Sequence, residues 1–177
     1  MIAMLWKFLL FKTPYWSYAK SNYWFYNLSF IPVYLLYQIF FYYFFNDDRI
    51  KKYITYASAL FISFALINIF FIQGILKLNT YTVVAANLVA VILAVRHFKE
   101  VRGQAPLIDI KKEPATYIFL GIFINQSTNI PYLLSMPYLV TYNLTLATAF
   151  YYVFLAINCL MFVLFAKAYL CPTPQQN

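Results

Sequence analysis

"NYWFYNLSFIPVYLLYQIFFYYFF", residues 22–45, contains no charged side chain and stops at the polar cluster "NDDRIKK", residues 46–52. A bilayer core asks for roughly 20 apolar residues of helix, each rising about 1.5 Å. This run meets that length, so residues 24–45 are read as a membrane-spanning helix. Pro32 falls early in it, which a membrane helix tolerates because neighbouring groups can satisfy the backbone carbonyl it frees.

The rest of the chain repeats the pattern. Further spans are expected at residues 53–73, 80–95, 115–135 and 144–169, with the third short and the last running into the polar tail "CPTPQQN". Of the 177 residues, 64% are hydrophobic and 10% charged, against about a quarter charged in soluble domains. The expected fold is therefore all-α: a polytopic integral membrane bundle of about five spans forming one domain, with little chain left for a soluble one. The 18 Tyr and 19 Phe fit that class, because a tyrosine ring lies among acyl chains while its hydroxyl reaches water.

Net charge is +8, yet the basic residues sit in short segments beside apolar runs, so membrane lipids rather than nucleic acid are the expected partners. Lys7, Lys12, Lys20 and Lys77 fall on one side of the expected topology. Arg49, Lys51, Lys52, Arg96, Lys99, Arg102, Lys111, Lys112 and Lys167 fall on the other. The richer side is expected to be cytoplasmic, placing the N-terminus outside and the C-terminus inside. The opening "MIAMLWKFLLFK" is interrupted by Lys7 and has no basic residue ahead of its apolar stretch, so residues 1–12 read as an interfacial helix rather than a signal peptide.

The stretch "FIQGILKLNTYT", residues 71–82, is read as a tight hairpin between the second and third spans. Gly74 is placed to leave one helix with a positive φ, and Asn79 or Thr80 to cap the next by accepting from its free amides. Thr82, Ala86, Ala90 and Ala94 recur every four residues and make a narrow packing face. Ala59 and Ser63 offer a shorter one on the second span, and the two spans are expected to pack antiparallel through these faces. Glu113 and Pro114 suit the start of the fourth span.

Polar residues within that fourth span, "INQSTN" at 124–129, form the expected functional feature. Gly121, Asn125 and Asn129 share one helical face, beside Gln126. Unpaired amides are costly in hydrocarbon, so this face should meet another helix, a cavity or water. Asn68, Asn87 and Asn158 are the candidate partners. Two uses compete: interhelical hydrogen bonds that fix the bundle, or a small-ligand binding or transport site, as a pocket or a passage lined by these amides.

Catalytic patterns are missing from the sequence. The five acids, Asp47, Asp48, Glu100, Asp109 and Glu113, lie outside the expected spans, and His97 is the single histidine, expected at the lipid headgroups. No metal-ligand spacing or cofactor motif is present. Cys159 and Cys171, twelve positions apart, would lie roughly 18 Å apart on one helix, too far for a disulfide. The tripeptides at Asn27, Asn125 and Asn143 match the glycosylation sequon at chance level.

The run at 22–45, then "FFIQGILKLNTYT" at 70–82, "KKEPATYIFLGIF" at 111–123 and "NIPYLL" at 129–134 together resemble a group of uncharacterised multi-span membrane proteins common in Bacteroidetes. The likeness covers roughly residues 22–170. It implies a bundle of about seven spans of bilayer length, of which the first two are lacking here, and it brings no catalytic residues. A non-enzymatic subunit or scaffold of a larger inner-membrane complex is the expected function, with a protein partner or a second copy covering the faces left bare.

Overall fold

The computed structural model describes residues 23–75, 77–104 and 113–171. Its described elements are α1 (Tyr23–Phe44), α2 (Asp48–Ile67), α3 (Thr80–Gln104), α4 (Pro114–Tyr142) and α5 (Leu144–Leu170). The fold is all-α, and among the described residues there is no strand. The interfacial helix expected at residues 1–12 lies outside the described residues, as do Lys111 and Lys112 of the basic segment.

Four segments are long and apolar enough to cross a membrane: Tyr23–Phe44, Asp48–Ile72, Thr80–Gly103 and Leu144–Leu170. α4 is longer than any of them at 29 residues, but its amides and prolines dilute its apolar character. In α5 the apolar side chains run all round the helix, and only 6% of its most apolar window is buried. A helix apolar on every face belongs in a protein core or in lipid, and so exposed a surface excludes the core. The molecule is an integral membrane helical protein.

Several boundaries depart from expectation. α3 does not stop near residue 95 but continues to Gln104, carrying Arg96, Lys99, Glu100 and Arg102 on a helix rather than in a loop. Arg96, Lys99, Glu100, Arg102 and Gln104 are good helix formers, and Arg96 Nε lies 3.0 Å from Glu100 Oε1 one turn on, which supports that extension. α4 likewise runs through residues 136–142, past the end of the expected span at residue 135. Its two internal prolines remove amide donors, and the helix continues across them while nearby hydroxyls bond to its carbonyls. Ser135 Oγ donates to the Pro131 carbonyl at 2.7 Å and Thr141 Oγ1 to the Pro137 carbonyl at 3.0 Å. Asn143 alone separates α4 from α5, and its Oδ1 accepts from the Leu146 amide at 3.0 Å.

The chain separates into two compact units, one ending at Ala86 and the other beginning at Asn87. In the first, α1 buries Asn27, Tyr34, Gln38 and Phe41, a stripe at helical spacing. Its core joins Tyr34 to Phe61, Ala65 and Ala86, with Phe30, Ile31 and Ile62 packed against it. The Tyr34 and Phe61 rings stack at 3.6 Å between centroids. The chief partner of α2 is thus α1. Ala59 and Ser63, expected to face the third span, are exposed; Phe61 and Ala65 hold the packed side of α2 instead. Thr82 and Ala86 are buried, and so are Ala90 and Ala94 in the second unit.

The second unit is dominated by α4 against α5. Tyr132 stacks on Phe154 at 4.3 Å, with the rings 11° from parallel. Gly121 sits under the Phe165 ring: a Cβ at this position would lie 2.9 Å from Phe165 Cε1 and 3.3 Å from Met161 Cγ. This is the small-residue logic of membrane helix packing, where close approach rather than the hydrophobic effect supplies the attraction.

Candidate functional site: polar side chains inside the helical hairpins

In the first unit the polar residues converge on the α2–α3 hairpin. α2 ends in a widened π-helical turn, Asn68–Ile72, in which the Asn68 carbonyl accepts from the Gln73 amide at 2.9 Å and from the Gly74 amide at 3.4 Å. Gly74 then takes φ +80°, the left-handed conformation expected of it. The widened turn directs Asn68 inward, where it is fully buried. Its Nδ2 donates to Gln73 Oε1 at 2.9 Å, to Thr82 Oγ1 at 3.0 Å and to Asn79 Oδ1. Thr82 Oγ1 in turn donates to Asn79 Oδ1 at 2.8 Å.

The start of α3 is capped differently from the expected arrangement. Gln73 Oε1, rather than Asn79 or Thr80, accepts from a first-turn amide, that of Tyr81, at 3.4 Å. Asn79 Oδ1 is already occupied by Asn68 and Thr82, so it has little capacity left for the helix end. Asn27, absent from the expected polar face, binds this hairpin from α1. Its Oδ1 accepts from the Asn79 amide at 2.9 Å, and its Nδ2 donates to the carbonyls of Lys77 at 2.7 Å and Ile75 at 3.2 Å. Its signal in the sequence was an isolated amide in an uncharged run.

In the second unit, Asn125 Nδ2 donates to Asn158 Oδ1 at 3.0 Å, while Asn158 Nδ2 bonds back to the Phe154 carbonyl at 2.8 Å. Gln126 is buried beside this pair and Asn129 is half-buried; neither takes part in it. His97, expected at the headgroups, is 2% exposed. Its ring stacks on Phe119 at 4.0 Å and 21°, because α3 extends past it and the flat imidazole fits against an aromatic face. Lys167 Nζ lies 4.5 Å from the centre of the Tyr117 ring, a cation–π contact near the end of α5.

Four buried residues keep unpartnered polar atoms. Both amide atoms of Gln38, the Tyr34 hydroxyl, Asn68 Oδ1 and Asn87 Nδ2 have no hydrogen-bond partner among the described residues. Tyr34 and Gln38 lie one turn apart on the same buried stripe of α1. Gln38 passed unnoticed in the sequence because one glutamine among aromatics gives no periodic signal.

The site's chemistry is that of neutral amides and hydroxyls. Among the described residues no group of three or more His, Cys, Asp or Glu is placed to hold a metal ion, and Cys159 and Cys171 are free thiols. Comparison of the chain with protein-family models, with curated proteins and with solved structures gives no match.

Proposed function

We propose that this chain is a non-enzymatic membrane subunit or scaffold of a larger inner-membrane complex, working through contacts in the plane of the bilayer with a protein partner or a second copy of itself. The observation that carries this reading is the pairing of interior amides within each hairpin: Asn68 with Gln73, Asn79 and Thr82, and Asn125 with Asn158. A passage or ligand cavity would leave such groups facing a void; here they tie helices together, each contact contributing about 0.6 kcal/mol. What remains for interaction is the outer aromatic and aliphatic surface, including Tyr151, Tyr152 and Phe162 on α5.

The orientation with the C-terminus cytoplasmic belongs to the same proposal and rests on the distribution of Lys and Arg. So does membership of the seven-span Bacteroidetes group, which rests on the motifs between residues 22 and 170. Extraction in mild detergent followed by chemical cross-linking tests the main reading. A stoichiometric protein partner or a defined homo-oligomer is expected; a lone monomer overturns it.

A second reading, binding of a small neutral ligand, is supported by Gln38 and Tyr34, whose unpartnered polar atoms lie together on one buried stripe. Burial of an unsatisfied amide is expensive, and a small polar molecule bonded to Gln38 would offset that cost.

A further inference from the structure

We infer that the basic end of α3 binds an anionic phospholipid, with an acyl chain along Val91, Ile92 and Val95 and the headgroup phosphate at Lys99. These residues line a surface groove of about 510 Å³, together with Arg96 and Glu100. The groove is apolar at one end and charged at the other, over residues that rise by roughly 12 Å along the helix axis. An amphiphile with one negative headgroup has the same polarity and order.

The charges within the groove favour one sign of ligand. Glu100 is already paired with Arg96, so its negative charge is offset. Lys99 is exposed and is left as the uncommitted cation of the groove among the described residues. α3 is one of the helices long and apolar enough to cross a membrane, so Val91, Ile92 and Val95 lie where acyl chains are the solvent, and Lys99 lies toward the helix end, where phosphates begin. A zwitterionic lipid presents the same chains but no net charge for Lys99, which is the source of selectivity. This inference stands apart from the subunit reading, since a lone chain would bind lipid equally well.

The test uses the full chain purified in mild detergent, with native mass spectrometry counting phosphatidylglycerol and phosphatidylcholine offered at equal concentration. The wild type is expected to retain more phosphatidylglycerol. Lys99→Gln, at an exposed position, should weaken that retention about fivefold, the effect of one cation near an anionic headgroup. Val95→Trp, which fills the groove, should reduce both lipids, with Val91→Trp as a second variant if the first loses helicity. Lys52→Gln, a cation on α2 outside the groove, should change nothing. Equal retention of the two lipids, equal losses from Lys99→Gln and Lys52→Gln, or full competition by inorganic phosphate would each overturn the assignment.

Discussion

Asn27 clamps Asn79: its Oδ1 accepts from the Asn79 amide at 2.9 Å while its Nδ2 holds the Lys77 and Ile75 carbonyls just before it. One side chain on α1 thereby satisfies three backbone groups of a hairpin that has no regular ladder of its own. Replacing it leaves the buried Asn79 amide and the part-buried Lys77 and Ile75 carbonyls without this partner. Asn27→Leu is expected to cost about 2–4 kcal/mol, read as a lower thermal midpoint in a nanodisc, and to raise amide exchange at Asn79 first. Unchanged exchange at Asn79 would remove the clamp from the account.

The Asn125–Asn158 bond predicts a coupling rather than a large single effect. Asn125→Leu and Asn158→Leu should each destabilise the α4–α5 hairpin, and the double variant should lose less than the sum by about 0.6 kcal/mol. Reversible unfolding in bicelles gives all four corners of the cycle. Strict additivity would mean that the two amides act independently.

Gly121 lies against Phe165, and even a methyl group would press on the ring. Gly121→Val is expected to cost about 1–3 kcal/mol through overpacking. The companion change Phe165→Leu should recover part of that loss in the double variant, as measured by the same unfolding assay. Failure of any rescue would show that the glycine acts through the backbone instead.

Gln38 offers the sharpest choice between the two functional readings. With no ligand, Gln38→Leu removes two unsatisfied buried atoms and is expected to stabilise the protein by about 1 kcal/mol or more. With a bound polar ligand, the same change lowers the thermal midpoint of protein purified directly from membranes. The sign of that shift decides.

The class of the protein was legible in the chain because it depends on composition and run length alone. An uncharged stretch such as residues 22–45 has one stable arrangement in lipid, a helix that satisfies its own backbone. Gly74 was equally legible, since a positive φ after a helix selects glycine. The reach of α3 and α4 was less so: apolarity ends near Val95, but helical hydrogen bonding does not, and the Arg96–Glu100 pair supports the extension of α3; α4 continues across both Pro131 and Pro137 to Tyr142.

Partner choice lay beyond the sequence altogether. Asn68 was one of several amides available to Asn125, and spacing along a chain cannot say which helices meet. The π-helical turn at Asn68–Ile72 rotates Asn68 toward Asn79 and Thr82, and the tight α4–α5 joint at Asn143 brings Asn158 to Asn125. Composition determined that these side chains would need partners inside a membrane. Only the tertiary structure decided which ones they found, because hydrogen bonds are directional and a turn of one helix redirects every polar group it carries.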